Sequence, residues 1–150
     1  MYDTFGGKNE LFLRAIQHYR KVNFQVVTDL LQQEPNVRSA IQKLFELNVE
    51  QALEDKDHKG CFMVNTTTEL VPHDKKIQDL AFENLDSFEK LLRSLLTEAQ
   101  LKGELSADKD VSAMASYFFT LYNGIRVVGK LNPSRAYLQS VVENGLRVLD

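Results

Sequence analysis

The chain has 150 residues, enough for one domain that buries about 70% of the surface its unfolded form exposes. Its 43% hydrophobic and 26% charged residues exclude a disordered chain, a collagen-like repeat and a disulfide scaffold. Its 18 basic and 21 acidic residues give a net charge of −3, which argues against binding nucleic acid by bulk charge.

The charge is uneven: residues 1–21 carry a net +2 and the remainder −5. Cys61, the one cysteine, has no partner within its chain. With no charged-then-apolar leader at the start, it points to a reducing cytoplasm. No apolar stretch approaches the roughly 20 residues of a bilayer span, so a soluble protein without a membrane partner is expected. Glycine and proline are scarce and divide the chain into segments that read better at a period of 3.6 than of 2. The expected fold is therefore all-α.

In chain order, residues 9–33 form a first long helix, with Leu11, Phe12, Ala15, Ile16, Tyr19, Val26, Val27 and Leu30 at helical spacing. Residues 37–54 repeat the pattern through Ala40, Ile41, Leu44 and Phe45, and then run into a polar loop, Glu54 to Lys59. A short segment from Cys61 to Leu70 is read as helical, although Thr66-Thr67-Thr68 lowers its propensity. Residues 74–102 carry a clean apolar stripe with i,i+4 ion pairs outside it. The next segment, Asp108 to Leu131, is apolar nearly all round and needs cover on more than one flank. The last opens at Asn132-Pro133, read as an N-cap followed by proline at the first helical position. One chain of this size offers too few helices to cover both terminal elements. A second copy is therefore expected to do so, through Gly124, Val128, Leu138, Val141, Val142 and Gly145, as a symmetric homodimer.

The string Tyr2-Asp3-Thr4-Phe5-Gly6-Gly7-Lys8-Asn9-Glu10-Leu11-Phe12 resembles the junction in TetR-family transcriptional regulators where the recognition helix of the helix-turn-helix ends and the next helix begins. The strings Gly60 to Thr66 and Asn123 to Val127 resemble the same family's ligand-binding and dimerisation domain. The resemblance departs at Thr4, where the family often has an aromatic or histidine, and at Gly7, where Ser, Thr or Asn usually caps the helix. It implies that residues 1–8 are a remnant of the DNA-binding head and that 9–150 form a TetR-like effector-binding and dimerising bundle. It further implies that Tyr2 and Lys8 touch the DNA backbone, positioning the protein without reading sequence. The first two helices and nearly all of the recognition helix of such a head do not occur in this sequence. Operator DNA is thus expected as a partner only through that head, and the whole as a regulator, most simply a repressor, that answers to a small effector.

Asn48 and Asn84 interrupt apolar stripes, where an amide is costly unless satisfied. Each is either a satisfied core asparagine or an orienting group in an apolar pocket. If the helices enclose a cavity, as the resemblance implies, Phe62, Asn65, Thr66, Phe88, Phe118 and Tyr122 supply its aromatic walls and polar groups. The expected effector is mostly apolar or aromatic, with one or two polar groups. Cys61, beside Lys59 at a helix start, is either a small core residue or a thiol that senses oxidants and electrophiles. A dimerisation module without DNA binding is a further reading. His58 with Asp55 and Asp57, and His73 with Asp74, match no strong metal spacing, so neither metal nor cofactor is expected. No phosphate loop, nucleophile elbow or HExxH points to an enzyme.

Overall fold

A computed structural model describes residues 8–55 and 74–150, together with Asn65 and Glu69. Five α-helices stand among them: α1 (Lys8–Gln33), α2 (Val37–Glu54), α3 (Lys75–Leu101), α4 (Val111–Val128) and α5 (Arg135–Leu146). Single 3-10 turns follow α4 at Gly129–Leu131 and α5 at Arg147–Leu149. The expected helix between Cys61 and Leu70 lies outside the described residues, apart from Asn65 and Glu69.

The helix starts are set by side chains that accept otherwise orphaned N–H groups. Asn36 accepts from Ser39 at 2.8 Å, Asp74 from Lys76 at 2.9 Å and Asp110 from Ala113 at 3.1 Å. Each such cap is worth about 1 kcal/mol. The start of α5 differs from expectation. Asn132 adopts a left-handed conformation, φ 55°, and closes the preceding 3-10 turn, so the capping role passes to Ser134, whose hydroxyl accepts from Tyr137 at 3.1 Å. The end of α3 is fixed by Gly103, whose φ of +77° lets Glu104 donate back to the carbonyl of Ala99 at 2.9 Å. The Glu104 carboxylate then accepts the Val37 N–H at 3.0 Å, tying the α3–α4 loop to the start of α2.

Helix α2 packs against all four of the others. Its Ile41, Leu44 and Phe45 join Leu92 and Leu96 of α3 and Ala115 and Phe118 of α4 in one fully buried core. Each large side chain there contributes about 1.5–3 kcal/mol by leaving water. A second, smaller cluster holds the N-terminal half of α1 to the start of α3, through Ile16, Ile77 and Leu80 with Phe12, Leu13, Tyr19 and Ala81 packed on them. Helix α1 is thus anchored twice, once by this cluster and once by Val27 and Leu31 in the main core. Between the anchors, Arg20 donates to Glu83 and to Ser87, each at 3.1 Å.

The α2–α4 edge is close. A Cβ added at Gly129 would lie 2.8 Å from the Cβ of Ala52, an atom with no rotamer to give way. Gly129→Ala is therefore expected to cost about 1–3 kcal/mol by overpacking, read as a lowered denaturant midpoint at unchanged m-value. Across α2 and α5, Arg135 donates both terminal nitrogens to the Glu50 carboxylate. That hydrogen bonding holds the Glu50 carboxyl below its usual range. A carboxyl depressed in the fold contributes stability above its unfolded value and loses it as pH falls through the folded one. Because the pair is exposed, Arg135→Gln should lower the melting temperature only slightly at neutral pH, and the difference should vanish in strong acid.

Candidate functional site

Tyr122 gathers the buried polar and aromatic groups. Its ring stands 5.2 Å from that of Phe88 and 6.4 Å from that of Phe45, while Phe45 lies 5.9 Å from Phe118. Its backbone carbonyl accepts the Asn48 Nδ2–H at 2.9 Å. The Tyr122 hydroxyl accepts from Arg126 at 2.6 Å, and the guanidinium stacks 4.8 Å from the centre of the same ring. Arg126 also donates to Gln51 of α2. Helices α2, α3 and α4 thus bring Asn48, Phe88, Phe118 and Tyr122 into one buried cluster.

Asn48 has no exposed surface, and it is the buried polar residue of the described core. Among the described residues the structure satisfies only part of its amide: Nδ2 is bonded, and Oδ1 has no hydrogen-bond partner. Asn84 sits at the edge of the cluster, partly buried. It faces a crevice of about 20 Å³ with Tyr19, Arg20 and Asn23 of α1, Phe88 of α3, and Phe119, Tyr122 and Asn123 of α4. That volume holds roughly one water. Asn65 accepts from Lys130, just past the end of α4. Phe62, Thr66, Cys61 and Tyr2 lie outside the described residues, as do His58 and His73; Lys8 opens α1, and its side chain is likewise outside them. Sequence reasoning missed Arg126, although its i,i+4 spacing from Tyr122 was the available signal.

The surface expected between two copies divides. Leu138, Val142 and Gly145 are buried in the chain's own core, because α5 turns its stripe onto α2 and α4. A Cβ at Gly145 would fall 2.4 Å from Leu121, so the close approach that this glycine permits is to α4 of the same chain. Val128 and Val141 are half-buried, while Gly124 is exposed with open space around its Cα. The face of α4 left uncovered is Ala113, Ser116, Tyr117, Thr120, Gly124 and Val127, an i,i+3,i+4 series of small or uncharged residues, with Tyr137, Ser140 and Asn144 exposed on α5. Among the described residues no helix is long and apolar enough to cross a membrane.

The sequence model of the tetracyclin repressor-like C-terminal domain matches residues 38–144, and the chain belongs to the TetR family of transcriptional regulators. It is 29% identical over 151 residues to the HTH-type transcriptional regulator YezE of Bacillus subtilis (strain 168), spanning 100% of this chain and 78% of that one. It is 25% identical over 150 residues to the HTH-type transcriptional repressor ComR of Escherichia coli (strain K12), spanning 99% and 71%. Its structure superposes with a TM-score of 0.86 on a cysteine mutant of the TetR family regulator CifR in complex with 26-bp operator DNA, at 27% identity and over 97% of this chain and 76% of that one. The resemblance seen at the N-terminal junction thus extends through the whole chain, and the family is one of regulators rather than enzymes.

Proposed function

We propose that residues 9–150 are the effector-sensing and dimerising unit of a cytoplasmic, ligand-responsive repressor, with residues 1–8 the end of its DNA-binding head. The observation that carries this reading is a buried aromatic cluster centred on Tyr122, whose backbone carbonyl is bonded by a fully buried asparagine. A polar group in such a place costs stability, and a small-molecule site is what repays it. Asn48, Phe88, Phe118 and Tyr122 line the effector site, with Asn84 at its rim and Phe62, Asn65 and Thr66 completing it. Two copies meet through the uncovered face around Gly124, with Val128 and Val141 at its margin. The DNA-bound CifR complex and the repressor named ComR support this reading by analogy. Tyr2 and Lys8 touch DNA phosphates.

The mechanism is a population shift. An effector that binds one arrangement of α3 and α4 better than another changes how the Ile16–Ile77–Leu80 cluster and Arg20 hold α1. The separation of the two DNA-reading heads changes with it. A thermal-shift screen of small aromatic molecules on the purified chain tests the sensing claim. A ligand at 100-fold its Kd stabilises by about 2.7 kcal/mol, or roughly 5–10 °C for a chain of this length. A folded chain that no molecule stabilises would leave only a dimerisation module.

A further inference from the structure

We infer that the cleft between the end of α1 and the C-terminal half of α3 is a second ligand site, and that it takes a small organic monocation, an ammonium on an apolar body. It shares no residue with the Tyr122 cluster and stands whether or not that cluster binds an effector. The cleft measures about 310 Å³, within the range of small-molecule sites. That is about twice the volume of a cavity that holds benzene. Its floor is apolar: Leu31 of α1, Pro35 and Val37 at the α1–α2 turn, and Leu91, Leu95 and Ala99 of α3. Around this floor stand the carboxylates of Glu34, Glu98 and Glu104, against the ammonium of Lys102. Each carboxylate is engaged through one oxygen. Glu34 accepts from the Ser39 hydroxyl at 2.6 Å, Glu98 from Lys102 at 2.7 Å, and Glu104 from the Val37 N–H at 3.0 Å. Among the described residues that leaves the second oxygen of each to accept from a ligand. The backbone adds to the negative field. Helices α1 and α3 both end here, at Gln33 and Leu101, and neither carries a basic residue in its last turn. Two carbonyl poles therefore meet at the cleft, with Lys102 the one cation on its lining. The opposing pole, the start of α2, is already met by Glu104 and by the Asn36 side chain. Lys102 registers the result: its hydrogen bond to Glu98, and the charges of Glu98 and Glu104, hold its ammonium above the ordinary range. A second cation is attracted by the same groups, and an anion is repelled by them.

The test titrates the full chain with three probes of similar shape and follows the backbone amides by NMR. Phenethylamine is a cation at neutral pH, 2-phenylethanol is neutral, and 3-phenylpropionate is an anion. The cation is expected to shift amides of residues 31–37 and 91–104, which line the cleft. It should bind at least about tenfold more tightly than the alcohol, because three partly exposed carboxylates act on it together. The anion should leave these amides unmoved. Glu98 is exposed, so Glu98→Gln removes its charge without disturbing the fold. In that variant the cation should bind about threefold more weakly or worse, and the alcohol as before. Alcohol binding as tight as that of the amine, an anion that shifts the same amides, an amine affinity unchanged in Glu98→Gln, or no shift at roughly 10 mM amine overturns the inference. Amine-induced shifts confined to the amides around Tyr122 overturn it as well, and would assign the cation to the sensing cluster instead.

Discussion

Phe118→Ala is expected to destabilise the chain by about 3–5 kcal/mol, the range for truncating a fully buried phenylalanine. Phe118 has no exposed surface and sits mid-way along α4 against Phe45 and beside Tyr117. Its truncation opens a void in the core shared by α2, α3 and α4. For a chain whose total stability falls in the usual range of about 5–15 kcal/mol, the loss lowers the melting temperature by about 10 °C or more. Phe82, an aromatic of the same size on α3 but 58% exposed, is the control, and Phe82→Ala should stay within about 0.5 kcal/mol of the wild type. Urea unfolding monitored by circular dichroism separates the two. A Phe118→Ala variant as stable as the control would mean that the centre of the cluster is not packed, and the core described above would be wrong.

Gly124→Arg is expected to leave the protomer folded and to break the dimer. Nothing lies within 4 Å of a Cβ at this position, so the fold has room for the side chain. The glycine stands toward the C-terminal end of the exposed series from Ala113 to Val127, where two helices of different copies would approach closely. A guanidinium there is buried without a partner or holds the surfaces apart. An interface of ordinary size buries about 800 Å² on each side, and a charge buried within it should weaken association by about a thousandfold, or about 4 kcal/mol. Sedimentation should show the monomer with an unchanged helical spectrum. A variant that remains dimeric would move the interface elsewhere on the molecule.

The helices were legible in the sequence because glycine, proline and the capping residues punctuate it where the backbone needs them. Asn36 and Asp74 stand where the starts of α2 and α3 require an acceptor. Asn132 misled because asparagine serves equally well as an N-cap and as a left-handed terminator, and the sequence carries both options side by side with Ser134. Periodicity shows that a face is apolar but not what covers it. Leu138, Val142 and Gly145 therefore read as an interface between copies, although α5 folds back onto its own chain. The same limit applies to the site. An asparagine on an apolar stripe marks a polar group in the core, but only the packed structure separates Asn48, sealed with an acceptor unmet among the described residues, from Asn84 at the mouth of a small crevice. Arg126 escaped notice because its role depends on Tyr122 and Gln51 meeting across two helices.

Native mass spectrometry of the chain as purified tests the central claim most directly, because it reads subunit count and retained small molecules in one spectrum. The account predicts a dimer whose mass exceeds that of two chains by that of a bound small molecule. A monomer with no added mass would contradict it.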